Sequence, residues 1–266
     1  MRWRVHPLLW LGSGSGFLLI GLCAILISSK PAERPLIAFV AASLRPPMEA
    51  IAADYQQQTG RRVELRFGGS EDLLTQARFS ATTTPADLFL PADDSYLQKA
   101  HQLQLIGESF PLARMRCVVL RNPKHKIGTW ADLTSNGRKL ALAEPSIAAI
   151  GLLTLNHLQA TGRWDELNRV IVVKTDTVTQ SANAVKLGTV DAAIVWDAVA
   201  YHFPELPTVR LLELDGIVAT VPVAVLNQSP NPLEAKRFAR FIANQGLQRF
   251  QEAGFEVITS SEEHTP

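Results

Sequence analysis

The sequence lacks the cysteine for a disulfide framework. It has two in 266 residues, and Cys23 lies in an apolar N-terminal run. Cys117 is left alone in the body, inside Cys117-Val-Val-Leu120, where a thiol reads as a small buried hydrophobe rather than a nucleophile. Catalytic and nucleotide signatures are missing too. There is no Gly-x-Ser-x-Gly elbow, no phosphate-loop lysine motif and no His-Glu-x-x-His pair. His6, His101, His125, His157, His202 and His264 stand at no metal-ligand spacing from Cys, Asp or Glu, and none is placed to serve a serine as base. Charge of one sign is also lacking: 26 basic residues face 25 acidic ones, with no block of either. That balance argues against a dedicated nucleic-acid binder. No internal repeat or low-complexity linker occurs. These absences weigh against catalysis without excluding it, and the apolar residues, 47% of the chain, suffice for a sizeable core or two lobes.

The N-terminus does carry a signal. Arg2 and Arg4 precede an uncharged stretch from Pro7 to Ser29, with Phe17–Ile27 as its apolar centre. Residues 1–34 read as a cleaved signal peptide or an uncleaved membrane anchor. Lipid attachment at Cys23 is a third reading, disfavoured by Leu22 where a small residue is needed. Gly12-Ser-Gly-Ser-Gly16 lies inside this segment and so is not a nucleotide site. In each case the body from about Leu36 is extracytoplasmic, periplasmic where there is a periplasm. The end, residues 259–266, reads as a flexible polar tail.

Between these ends strand and helix patterns alternate, which predicts an α/β fold with mostly parallel sheets. Leu36–Val40, Val63–Phe67, Asp87–Pro91, Met115–Leu120, Lys139–Ala143, Val170–Val173, Ala192–Trp196, Val209–Leu214 and Ala219–Leu226 read as strands. Met48, Ile51, Ala52 and Tyr55 recur at helical spacing, with Pro46 and Pro47 in the first turn and Gly60 at the end. Further helices are expected near 73–77, 94–104, 151–161, 181–187 and 232–244. Two motifs stand at matching points of adjacent βα units: Ala41-Ala-Ser43 and Gly68-Gly-Ser70. A hydroxyl and free amide groups at a helix start make a donor-rich site for an anion. Either serine alone reads first as a plain helix cap; two such serines in register favour an anion held between them. Asp93 and Asp197 are the carboxylates that would instead favour a cation, and Glu71 and Asp72 would repel an anion if they turned inward.

Taken in order, Ala41-Ala-Ser-Leu44, Phe67-Gly-Gly-Ser70, Pro85-Ala-Asp-Leu-Phe-Leu-Pro-Ala-Asp93, Trp130-Ala-Asp-Leu133, Leu142-Ala-Glu-Pro145, Gly188–Trp196 and Ala253-Gly-Phe255 resemble the periplasmic molybdate/tungstate-binding proteins of ABC importers, over roughly Leu36 to Phe255. The resemblance implies a two-lobed periplasmic-binding-protein-like α/β fold, with a ligand cleft between lobes that the chain crosses twice. It divides the chain into lobe 1 at 35–112 and 221–258, and lobe 2 at 113–220. It implies capture of molybdate or tungstate by Ser43 and Ser70, by the backbone at Ile150 and Val178, and by Trp196, which stands where many members have tyrosine. Asp197 beside it and the missing Pro-Ala-Gly-x-Tyr-Ala run at Ile150-Gly151 are departures. The alternatives are sulfate, phosphate or iron(III) as ligand, or a membrane-anchored sensor of the same fold. No cofactor and no enzyme activity are implied. The implied partners are the oxyanion and an importer permease, with the membrane added if the N-terminal segment stays; the chain is expected to be a monomer.

Overall fold

A computed structural model describes Met1, residues 34–79 and residues 85–258. The export-segment and polar-tail readings fall on residues 2–33 and 259–266 and so lie outside the described residues. Among the described residues no helix is long and apolar enough to cross a membrane.

The body is built on a mixed sheet. Strands β1 (Leu36–Ala41), β2 (Val63–Gly68) and β3 (Leu88–Leu90) run parallel, with β1 central. A second parallel group is β5 (Leu140–Ala143), β6 (Ile171–Thr175) and β7 (Ala192–Trp196), with β5 central. Between the groups lie β9 (Val218–Leu226) and the long β4 (Ile106–Arg121), in the order β2-β1-β3-β9-β4-β7-β5-β6. The joins β3–β9, β9–β4 and β4–β7 are antiparallel, so the expectation of mostly parallel sheets holds only within each group. This is the two-lobed α/β architecture. β4 joins the two parts: Arg116 pairs with Val218 of β9, and the next residue, Cys117, pairs with Trp196 of β7.

Helix α1 (Arg45–Thr59) follows β1. It buries Met48, Ile51, Ala52 and Tyr55 on the expected face, has proline in its first turn, and ends at Gly60, whose φ of 73° needs no side chain. Tyr55 packs tilted against Phe238 and edge-on against Phe241, with ring centroids 4.6 and 5.1 Å away. Those rings belong to helix α9 (Pro232–Asn244), numbered in chain order with α2–α8 given below. Aromatic pairing of this kind adds about 0.5–1.5 kcal/mol to the area buried. Helices α2 (Ser70–Phe79), α3 (Ser95–Gln102), α5 (Ala149–Ala160) and α7 (Val178–Lys186) occupy the places the sequence predicts, several starting a turn earlier. Short α4 (Trp130–Leu133), α6 (Trp164–Asn168), α8 (Asp197–Ala200) and α10 (Leu247–Glu252) complete the helices described.

Two strand expectations need correction. β4 begins nine residues before the expected Met115, at Ile106, and runs through Gly107 and Pro111, residue types that are uncommon inside strands. Pro111 faces Pro222 in the ladder, and the register slips between Pro111 and Ala113. Two residues without amide donors thus meet where the ladder is irregular and needs none. The strand expected over 209–214 shrinks to β8, Thr208–Val209, followed by a 3-10 turn at Leu212–Leu214. Asp215-Gly216 turns the chain there, and Leu212 is left 86% exposed.

Candidate functional site

The C-terminal ends of β1, β2, β5, β6 and β7 converge on one cavity, where open parallel sheets place ligands. Its wall comprises Ala41, Ala42, Ser43, Gly68, Gly69, Ser70, Ala92, Ala148, Ala149, Ile150, Thr177, Val178 and Trp196. Its empty volume is ≈ 250 Å³. That suits one small ion rather than an organic solute. All five candidate residues, Ser43, Ser70, Ile150, Val178 and Trp196, are on this wall. None of the thirteen residues carries a charge.

Ser43 sits in the 3-10 turn Ala42–Leu44 between β1 and α1 and is 4% exposed. Its hydroxyl caps no helix: Oγ is buried and meets no hydrogen-bond partner among the described residues. A buried hydroxyl without a partner is destabilising by about 1–3 kcal/mol, so its presence here calls for a reason. Ser70 is the first residue of α2. Its Oγ accepts the Ala92 N–H at 3.1 Å, which leaves its own proton free to be donated. The two serines therefore supply two O–H donors to one small space. The helix-cap alternative fits neither.

The other wall is made of helix starts. Ile150 is in the first turn of α5 and Val178 in the first turn of α7. First-turn amides have no preceding carbonyl in reach. Among the described residues no backbone hydrogen bond takes the amide of Ser43, Ser70, Ile150 or Val178. Each helix also presents the positive end of its dipole. Gly151 brings α5 onto the end of β5: a Cβ there would stand 2.1 Å from the Ala143 carbonyl oxygen. α7 begins with a capping box, in which Thr177 Oγ1 accepts the Gln180 N–H at 3.3 Å and Gln180 Oε1 accepts the Thr177 N–H at 3.2 Å. Trp196 ends β7 and is 1% exposed, and its indole N–H is a donor with no acceptor role.

The carboxylates that the sequence placed nearby are turned elsewhere. Glu71 pairs with Lys99 at 2.7 Å, and Asp72 is exposed. Asp93 accepts the Ser95 N–H at 3.0 Å; burial pushes its carboxyl above the usual range, partly offset by that hydrogen bonding. Asp197 accepts the Arg116 N–H at 3.0 Å and the Ala198 N–H at 2.8 Å. Burial raises its pKa, and those two amides pull it back. Neither Asp93 nor Asp197 is on the cavity wall. Cys117, opposite Trp196 in the ladder, has its thiol pushed well up by burial, consistent with a packing role. Among the described residues no group of His, Cys, Asp and Glu is arranged to hold a metal ion. The sequence reading missed Thr177, although Thr177-x-x-Gln180 is a legible capping signal, and it missed Ala92 and Gly69, whose parts are played by backbone.

The family model of bacterial extracellular solute-binding proteins matches residues 36–256. The molybdate-binding protein ModA of Mycobacterium tuberculosis H37Rv is 29% identical over 265 residues, 92% of this chain and 98% of that protein. Among solved structures, the periplasmic molybdate-binding protein of Azotobacter vinelandii superposes with a TM-score of 0.72 at 20% identity, covering 84% of this chain and 100% of its own. The sulfate-binding protein SubI from M. tuberculosis H37Rv gives 0.71 at 16% identity, covering 86% and 88%. At such identities the structural likeness establishes the fold.

Proposed function

The chain belongs to the bacterial extracellular solute-binding proteins, and from that premise we propose that its cavity captures a tetrahedral oxyanion, molybdate or tungstate, outside the cytoplasmic membrane for uptake through an ABC importer. The observation that carries this reading is the wall of neutral donors, with the orphaned Ser43 hydroxyl among them. An anion in the cavity gives that hydroxyl, the Ser70 proton, the first-turn amides of α5 and α7 and the Trp196 indole an acceptor each. A protonated phosphate brings its own O–H and pairs best with a strong acceptor such as a carboxylate; the wall carries no carboxylate. Iron(III) wants anionic oxygen ligands, and the wall offers none of those either. A fully deprotonated dianion fits the donor set best, and sequence kinship with the M. tuberculosis molybdate-binding protein favours molybdate or tungstate among dianions.

The site residues, the lobe boundaries near 112 and 220, delivery to a permease and a monomeric state are parts of the same proposal. Calorimetric titration with molybdate, tungstate, sulfate, phosphate and iron(III) citrate tests it. Molybdate or tungstate is expected to bind at least tenfold more tightly than the rest. Equal or tighter binding of phosphate or iron(III) refutes the reading.

A further inference from the structure

The β2–α2 loop touches the opposite wall of the cavity directly. Glu71 N–H donates to the Ile147 carbonyl at 3.0 Å. Two residues earlier Gly69 is wedged against both donor loops of the other parallel group. A Cβ built on it would lie 2.6 Å from the Ile147 oxygen, 2.7 Å from Ile147 Cγ2 and 3.1 Å from the Asp176 oxygen. Ile147 precedes the α5 start that carries Ile150, and Asp176 precedes the α7 start that carries Val178. Gly69 does not have positive φ, so backbone conformation does not demand glycine there. Space does.

We propose that Gly69 is a positioning residue that sets how closely the two walls approach, and hence how small an anion the four backbone and hydroxyl donors can grip together. This rests on the oxyanion reading above. The atoms a side chain would strike are mainly carbonyl oxygens and backbone, which cannot rotate away. A methyl group at 69 therefore holds the Ile150 and Val178 amides back from Ser43 and Ser70, and strains the Glu71 N–H···O=C Ile147 bond that closes the gap. The donors themselves are untouched. A contact made only when the walls have met acts on escape more than on entry, so its loss shows in the dissociation rate.

The test compares wild type with Gly69→Ala, each as the full chain in mild detergent. Calorimetry with molybdate and tungstate gives affinity, stopped-flow Trp fluorescence gives the dissociation rate, and thermal melting is done without ligand. The expected result is a tenfold or greater rise in Kd, carried by faster dissociation, with the ligand-free melting temperature unchanged. Unaltered affinity in a variant whose wild type binds overturns the inference and leaves the oxyanion reading standing. A lowered ligand-free melting temperature also overturns it, because the glycine then serves the resting fold and not closure. If wild type binds neither anion, the oxyanion reading fails first and this inference with it.

Discussion

Replacing Ser43 by alanine separates a ligand-binding hydroxyl from a structural one, because the two roles change stability in opposite directions. Ser43 Oγ is buried and meets no hydrogen-bond partner among the described residues. Deleting it removes an unsatisfied polar group, so Ser43→Ala is expected to leave ligand-free stability unchanged or to raise it by up to about 1 kcal/mol. A capping serine would instead lose about 1 kcal/mol. With the anion bound, the same hydroxyl donates to a charged acceptor, worth about 1.5–3 kcal/mol. Its loss raises Kd roughly 10- to 150-fold. Ser70→Ala is the internal contrast. Ser70 Oγ accepts the buried Ala92 N–H at 3.1 Å. Removing it strands that amide, so this variant is expected to lose about 1–3 kcal/mol of ligand-free stability as well as affinity. Urea unfolding without ligand and calorimetry with molybdate measure the two quantities. A Ser43→Ala protein that binds like wild type, or that unfolds about 1 kcal/mol more easily without ligand, refutes the reasoning.

Asp197→Asn keeps an acceptor oxygen for the Arg116 and Ala198 amides and removes a carboxyl whose pKa burial raises above the ordinary 3.8. A raised carboxyl contributes stability at low pH that is lost as pH climbs from about 3.8 through its folded value, so the variant is expected to gain relative to wild type across that window and to level off above it; unfolding free energies that differ by a constant from pH 3.5 to 7 contradict this. Asp87 is fully buried, accepting the Ile37 N–H at 2.7 Å and the Ser229 O–H at 2.6 Å. Asp87→Ala strands both donors and is expected to cost about 2–5 kcal/mol in denaturant unfolding, with molybdate affinity kept in the folded fraction because Asp87 is not on the cavity wall.

The candidate site was legible as a cavity wall where side-chain chemistry and strand ends coincide in the sequence. Ser43 and Ser70 each follow an apolar strand, and the structure brings both to one cavity with Ile150, Val178 and Trp196. The contributions of Ala92, Ala148 and Gly69 were not legible, since they come from backbone placed by residues far away in the chain. The fold shows the same division. Met48, Ile51 and Tyr55 announce α1 by local periodicity. The first half of β4 is announced by nothing local: Gly107 and Pro111 argue against a strand, and pairing with β9 overrides them. At Val209–Leu214 the apolar run promised a strand, and the turn at Asp215-Gly216 overrode it.

The uncharged wall of the cavity has a consequence for proton balance. No residue on it titrates near neutral pH. Capture of an already deprotonated dianion therefore takes up and releases no proton at the wall, and the heat of binding is independent of the buffer's ionisation enthalpy. Affinity is then flat with pH until the anion itself acquires a proton. At that point the solute changes, not the protein, and the protonated form meets a wall with no carboxylate to take its proton. Selection against protonated anions is thus built from the absence of carboxylates as much as from the presence of donors.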